Sequence, residues 1–192
     1  MTYRTDKVEL GYLPVYRQIA DHYEDHSLLP PTLLEIGVGD QGGMEMFRDL
    51  GFRAYGVDNA PNRAVGGVLL ANQDDPGLRD MVSVQFGIRS WDVIVDDASH
   101  LAAETLATLR HMWPAVEDGG FYIIEDWNYL EGPDMWQNGW QSLLGNMISW
   151  SHRSTVEYSD VLTGVDMVSI RHGMIILRKD NLADPARQDL NR

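Results

Sequence analysis

The chain has 192 residues, of which 44% are hydrophobic, and it contains no cysteine. This is the length of one domain with enough apolar side chains for a core, and the lack of cysteine excludes disulfides, thiolate metal sites and a cysteine nucleophile. Twenty-nine acidic residues against 15 basic ones give a formal net charge of −14. A surface of that charge repels phosphate backbones, which argues against a nucleic-acid partner.

The start of the chain lacks an apolar leader, and no window approaches 18 apolar residues. We therefore expect a soluble, cytoplasmic protein without a membrane segment. We expect one domain over residues 1–180, opened by a helical segment over residues 1–30 and followed by a polar tail over 181–192. Apolar residues at helical spacing between Thr5 and Asp25 indicate that helix, with Pro14 in its first turn.

A short apolar run closes on a glycine turn at Leu33–Gly39, and the pair Gly42 and Gly43 then leads into a helix-like stretch. This pattern predicts a buried first strand, a tight turn and a helix, which together open a nucleotide-binding βαβ unit. Glycine lacks a Cβ, so a ligand can lie against the backbone. The spacing differs from G-x-G-x-x-G, which favours a cofactor without phosphates, such as S-adenosylmethionine, over a dinucleotide. A turn without a ligand is the alternative.

The second predicted strand, Ala54–Asp58, ends in an acid about 20 residues beyond the glycine turn, where Rossmann-like folds bind ribose hydroxyls. Two hydroxyl donors need a bidentate acceptor, and Asp58 supplies one; a solvated turn aspartate is the alternative. A short third strand, Val68–Ala71, precedes Asn72 and Gln73. These amides could hold adenine, although a helix N-cap explains the polar run equally well.

Helical and strand-like segments alternate along the rest of the chain. They are a helix over Gly77–Phe86, a strand over Trp91–Asp97, a helix from Ala102 to Pro114, a strand over Phe121–Ile124, a helix over Trp140–Trp150, and a hairpin of Asp166–Ile170 with Met174–Leu177. We expect Gly119 and Gly120 to break the chain before the fifth strand. The alternation predicts an α/β fold: a doubly wound, mostly parallel Rossmann-like sheet with an antiparallel C-terminal hairpin.

Carboxylates follow the fourth and fifth predicted strands at Asp97, Glu125 and Asp126. Neighbouring strands lie about 4.8 Å apart, so these side chains can converge on one ion. An oxygen-rich set without thiols suits Mg²⁺, Mn²⁺ or Ca²⁺ better than Zn²⁺. Such an ion lowers the pKa of a hydroxyl, and His100 is placed to take the proton. The alternative is that these acids cap helices or are simply solvated.

Aromatic side chains are dense in the stretch 127–150. In a loop beside the carboxylates they could stack on an apolar or sugar substrate. Covering a sheet edge or forming a subunit interface explains them equally well, so the sequence leaves open whether the protein is a homo-oligomer.

Two motifs, Val95–His100 and Asp118–Asp126, resemble the metal-dependent sugar O-methyltransferases of macrolide biosynthesis (the mycinamicin and macrocin type) and the related cephalosporin-hydroxylase-like proteins. Thr5–Lys7, Gly11–Tyr16 and Leu33–Gly39 resemble the opening of the same family. The resemblance covers about residues 5–130. It implies a class I methyltransferase that uses S-adenosyl-L-methionine and Mg²⁺.

The resemblance also implies roles for individual residues. Asp97, Glu125 and Asp126 would hold the metal, with His100 as general base and Asp97 beside it in the catalytic pair. Cofactor binding is assigned to Glu35, Gly37, Gly39, Asp58, Asn72, Gln73 and Asp96, with Asp58 on the ribose and the glycine turn at the methionine end.

The function that we expect is methyl transfer to a hydroxyl of a natural-product sugar or polyol, a small-molecule acceptor, without a nucleic-acid or membrane partner. The sulfonium methyl is attacked in line by the oxygen that His100 deprotonates. One alternative keeps the cofactor pocket for other chemistry, such as cyclisation or hydrolysis. Another is a non-catalytic scaffold, against which the clustered carboxylates argue because they repel one another without a cation.

Overall fold

The computed structural model describes residues 3–26, 28–128, 139–150, 162 and 164–181. Within these residues the helices are α1 Leu13–His26, α2 Gly42–Asp49, α3 Leu78–Phe86, α4 Ala102–Met112 and α5 Trp140–Trp150. The strands are β1 Thr32–Ile36, β2 Arg53–Asp58, β3 Val68–Leu70, β4 Trp91–Asp96, β5 Val116–Glu125, β6 Val165–Ile170 and β7 Met174–Lys179. The predicted tail beyond residue 181 lies outside the described part, as does most of the aromatic stretch before α5.

The strands form one sheet in the order β3-β2-β1-β4-β5-β7-β6. The pairs from β3 to β5 are parallel, whereas β7 runs antiparallel to β5 and β6 antiparallel to β7. This confirms the predicted sheet with its C-terminal hairpin. The strand order reverses between β1 and β4, and at such a point a crevice opens beyond the carboxyl ends of the strands.

Both faces of the sheet are covered by helices. Buried side chains of α3, α4 and α5 pack on one face, and those of α1 and α2 pack on the other. All five residues of β1 are buried, as expected for a central parallel strand that is covered on both faces. Leu34 and Ile36 face one core while Leu33 faces the other.

The N-terminal helix is shorter than predicted. It begins at Leu13, with Pro14 in its first turn as expected. The residues before it form turns, in which the amide of Leu10 donates to the carbonyl of Asp6 at 2.8 Å and that of Tyr12 donates to the carbonyl of Lys7 at 2.8 Å. These turns direct residues 3–12 across the carboxyl ends of the strands.

The expectation that Gly119 and Gly120 break the chain is wrong, because both lie inside β5. A Cβ on Gly120 would lie 2.8 Å from the carbonyl oxygen of Asp92 on the neighbouring strand. Glycine thus permits a close approach where the register between β4 and β5 shifts.

No helix in the described part of the chain combines the length and the apolar character that a membrane crossing requires.

Candidate active site

A cavity of about 890 Å³ lies beyond the carboxyl ends of β2, β1 and β4, beside residues 3–12, which we call the N-terminal segment. Its wall includes the glycine turn, Asp58, the run 72–74 and the run 97–100. The sequence therefore predicted the correct edge of the sheet. The N-terminal segment forms part of the wall through Tyr3, Lys7 and their neighbours.

The glycine turn and the turn after β4 touch at backbone level. Gly37 has φ +91°, and a Cβ there would lie 2.2 Å from the carbonyl oxygen of Asp97. The amide of Asp97 donates to the carbonyl of Ile36 at 2.8 Å. Only glycine combines this φ with this approach, so Gly37 fixes the position of Asp97 relative to the cavity.

Asp58 joins the second strand to the glycine turn. Its carboxylate is buried and accepts hydrogen bonds from the amide of Val38 at 3.2 Å and the amide of Ala60 at 2.8 Å. The guanidinium of Arg63 lies 3.5 Å away. The side chain is thus held against the cavity wall, as a ribose ligand must be, and its role stays a prediction.

Two other predicted cofactor residues, Gln73 and Asp96, form hydrogen bonds with side chains and backbone of the protein itself. Gln73 lines the cavity, but its side-chain amide donates to Thr108 at 3.1 Å and accepts from the amide of Ser99 at 2.9 Å. It therefore ties α4 to the turn after β4. Asp96 accepts a hydrogen bond from the hydroxyl of Tyr122 at 3.2 Å, and burial raises its pKa to about 7.

Asn72, Gly39 and Glu35 all lie on the cavity wall. Glu35 is buried, and its Oε2 atom has no hydrogen-bond partner within the described residues. A buried carboxylate oxygen needs a donor, and an ammonium group in the cavity would supply one. The amino group of a methionine moiety fits this requirement.

Asp97, His100 and Asp126 each offer one ligand atom, and these atoms lie within 4.8 Å of one another. His100 has φ +57° and Asp126 has φ +50°, a left-handed conformation that is uncommon outside glycine and concentrates at functional sites. The indole of Trp140 donates to the carbonyl of His100 at 3.2 Å, which fixes this turn against α5.

Among the described residues, Glu125 lies outside the group of Asp97, His100 and Asp126 whose ligand atoms are within 4.8 Å of one another. Its Oε2 atom accepts from the ammonium of Lys7 at 2.5 Å, and its Oε1 atom accepts from the hydroxyl of Tyr16. The neighbouring Asp126 accepts from the hydroxyl of Tyr12 at 2.6 Å. Glu125 thus belongs to a hydrogen-bonded network with the N-terminal segment and α1, and its role as a metal ligand stays a prediction.

Lys7 was not singled out as a functional residue by sequence reasoning. Its ammonium is buried between Asp97 at 2.6 Å, Glu125 at 2.5 Å and Glu35 at 3.2 Å. Lys7 is one of only two lysines in the chain and lies within the Thr5–Lys7 motif. Nothing in the local spacing indicates contact with a residue 118 positions later.

Burial strongly raises the pKa of three acids in this network. It raises the pKa of Glu35, Asp97 and Glu125 to about 7, although the ammonium of Lys7 works in the opposite direction. Burial alone would lower the pKa of Lys7, but its ion pairs with Glu125, Glu35 and Asp97 raise it well above its usual value. Lys7 therefore stays charged.

The residues present fit a hard divalent cation. Glu35, Asp97, Glu125 and Asp126 carry three more negative charges, when all are ionised, than the ammonium of Lys7 compensates. Buried like charges repel one another, and a divalent cation would leave one negative charge. Carboxylate oxygens are ligands that suit Mg²⁺ or Mn²⁺.

The fold is that of the class I methyltransferases. The crystal structure of MycE, a methyltransferase from the mycinamycin biosynthetic pathway in complex with Mg and S-adenosylhomocysteine, superposes with a TM-score of 0.69 at 22% identity, over 88% of this chain and 50% of that one. No protein-family model matches the sequence.

Over part of its length the chain is homologous to sugar O-methyltransferases, as the motifs predicted. One relative is the 8-demethyl-8-(2-methoxy-α-L-rhamnosyl)-tetracenomycin-C 3′-O-methyltransferase of Streptomyces olivaceus, to which the chain is 33% identical over 128 residues. This alignment covers 60% of this chain and 32% of that protein. The chain is 27% identical over 137 residues to the mycinamicin VI 2″-O-methyltransferase of Micromonospora griseorubida, covering 65% and 32%. The matches thus span about a third of the length of these relatives.

Proposed function

We propose that the protein is an S-adenosylmethionine-dependent O-methyltransferase that, with Mg²⁺, methylates a hydroxyl of a natural-product sugar. The observation that carries this proposal is the group Asp97, His100 and Asp126, which meets at the edge of a cavity bounded by the glycine turn and Asp58. The names of five similar proteins, all O-methyltransferases, support this class of reaction, and three of the names include a rhamnosyl or olivosyl group.

The cavity would hold the cofactor. Asp58 would accept hydrogen bonds from the ribose hydroxyls, Glu35 and the glycine turn would hold the methionine end, and Asn72 would hold the adenine. The negative lining of the cavity favours a cationic sulfonium ligand.

Each residue at the metal group then has one role. Asp97 and Asp126 would hold the cation, and Glu125 would join them where Lys7 releases its carboxylate. Such a cation would lower the pKa of the acceptor hydroxyl, and S-adenosylmethionine would supply the methyl group. The imidazole of His100 would accept the hydroxyl proton. The protein contributes mainly orientation and proton removal.

The proposal includes a small-molecule acceptor and a cytoplasmic location, and the net charge of −14 argues against a nucleic-acid partner. The alternative of other chemistry in the same pocket predicts that cofactor binding survives while methyl transfer is absent.

A thermal-shift titration with S-adenosylhomocysteine tests the cofactor site. A ligand at 100 times its Kd stabilises by about 2.7 kcal/mol, and a chain of this size gains roughly 2–4 °C per kcal/mol. We expect a rise of several degrees in the wild type and its loss in Asp58→Ala. Mg²⁺ should add a separate shift that Asp97→Asn removes.

The control is Asp118→Asn, which removes a half-exposed carboxylate at the opposite end of β5. This variant should keep both shifts. A wild-type protein whose melting temperature does not respond to millimolar S-adenosylhomocysteine, with or without Mg²⁺, would contradict the proposed function.

A further inference from the structure

The ammonium of Lys7 occupies one side of the carboxylate group. A lysine has three N–H donors and no acceptor, and Lys7 has carboxylate partners for all three in Glu35, Asp97 and Glu125. Only 2% of its surface is exposed. Its capacity to donate is therefore met inside the protein.

The N-terminal segment is built to deliver this side chain. A Cβ on Gly43 would lie 2.8 Å from Cε of Lys7, and one on Gly42 would lie 1.7 Å from the carbonyl oxygen of Arg4. The glycine pair at the start of α2 thus makes room for the lysine stem and for the backbone that carries it. The hydrogen bond from the amide of Tyr12 to the carbonyl of Lys7 closes the turn behind it.

The contacts of Lys7 divide the carboxylate oxygens into two sets. The ammonium of Lys7 donates to Oδ2 of Asp97 and to Oε2 of Glu125, while the hydroxyl of Tyr16 donates to Oε1 of Glu125. In the described part of the chain, Asp97 Oδ1 and Asp126 Oδ2 accept no hydrogen bond from Lys7 or Tyr16. These two oxygens belong to the residues that meet His100.

We propose that Lys7 is a positioning residue that orients the carboxylates of Asp97 and Glu125 beside Asp126 and limits how tightly a divalent cation is held there. This inference rests on the proposed function, because the cation is the one proposed there. Lys7 donates to one carboxylate oxygen of Asp97 and to one of Glu125, so both oxygens are engaged by its ammonium. Its positive charge also opposes a second cation a few ångströms away.

Removing the ammonium should therefore strengthen metal binding. In Lys7→Met, Glu125 is released toward the cation and one repulsive charge disappears. We expect the Kd for Mn²⁺, measured by electron paramagnetic resonance of the free ion at fixed pH, to fall by at least about tenfold. Mn²⁺ serves as the probe because it shares the oxygen ligands of Mg²⁺.

Lys179→Met is the matched control. Lys179 is the other lysine of the chain, lies at the opposite end of the sheet, and donates to the carbonyl of Val116 at 2.6 Å. Its loss changes the net charge by the same amount. We expect the Mn²⁺ Kd to stay within about twofold of the wild type, because Lys179 lies far from the carboxylates of the site and is not in contact with them.

Lys7→Met leaves buried carboxylates without their partner, so this variant needs a check of folding by circular dichroism. If it fails to fold, Lys7→Met/Glu35→Gln restores the balance of charge within the network. Its Mn²⁺ Kd, compared with that of Glu35→Gln alone, should show the same decrease.

An unchanged or raised Mn²⁺ Kd in Lys7→Met, or in Lys7→Met/Glu35→Gln relative to Glu35→Gln, would overturn the inference while leaving the proposed function intact. If neither the wild type nor any lysine variant binds Mn²⁺, the inference and the metal of the proposed function fail together. Binding of S-adenosylhomocysteine is measured separately, so a failure of the cofactor proposal is distinguished from both.

Discussion

His100→Asn should lower kcat by about 10²–10⁴-fold on a sugar acceptor that the wild type methylates, because the proton acceptor is lost. Asparagine is the suitable replacement, since His100 has φ +57° and asparagine tolerates the left-handed region better than alanine. The affinity for S-adenosylhomocysteine should stay within about twofold. Steady-state kinetics and the thermal shift measure these two quantities.

His111→Asn is the control for this substitution. His111 lies in the last turn of α4, at the end away from the cavity, and the variant should keep wild-type kcat. If His100→Asn retains full turnover, the imidazole is not the base. A weaker metal affinity in the same variant would instead identify His100 as a ligand of the cation.

Gly37→Ala should destabilise the protein by about 3 kcal/mol or more, since it adds a left-handed alanine and a backbone collision. At φ +91° the new Cβ would lie 2.2 Å from the carbonyl oxygen of Asp97 and 2.6 Å from Cα of Ala98. Backbone atoms cannot rotate away as a side chain can. Urea unfolding would measure the loss, and the melting temperature should drop by roughly 2–4 °C per kcal/mol.

Gly39→Ala separates the two causes. Gly39 also has positive φ, +52°, but a Cβ there meets no atom of the described residues within 4 Å. We expect a cost of only about 1 kcal/mol from the left-handed conformation. Equal losses in the two variants would show that the collision with the turn after β4 is unimportant.

The sheet was predictable because its strands are short apolar runs that end in turns or acids. β1, β2 and β4 lie where the hydrophobic pattern placed them, to within one or two residues. The start of α1 was missed because residues 5–12 share the apolar spacing of the helix, while their backbone closes turns instead. The pair Gly119 and Gly120 was misjudged because glycine marks both chain breaks and close strand contacts.

The part of the candidate site that depends on local sequence patterns was predictable. Acids at strand ends identified Asp58, Asp97 and Asp126, since the fold brings those ends together. The partners of Glu125 could not be foreseen, because Lys7 and Tyr16 approach from the other end of the chain. Contacts between residues so far apart leave no periodic signal in the sequence.

The separation of Lys7 and Glu125 along the chain also bears on folding. The two residues are 118 positions apart, so their ion pair closes a long loop and we expect it to form after the local contacts. Contacts of such separation form late because the chain between them must first be closed into a loop. In the unfolded chain the carboxylates are in water, where their charges cost least. We therefore expect the contacts of the N-terminal segment to form late in folding.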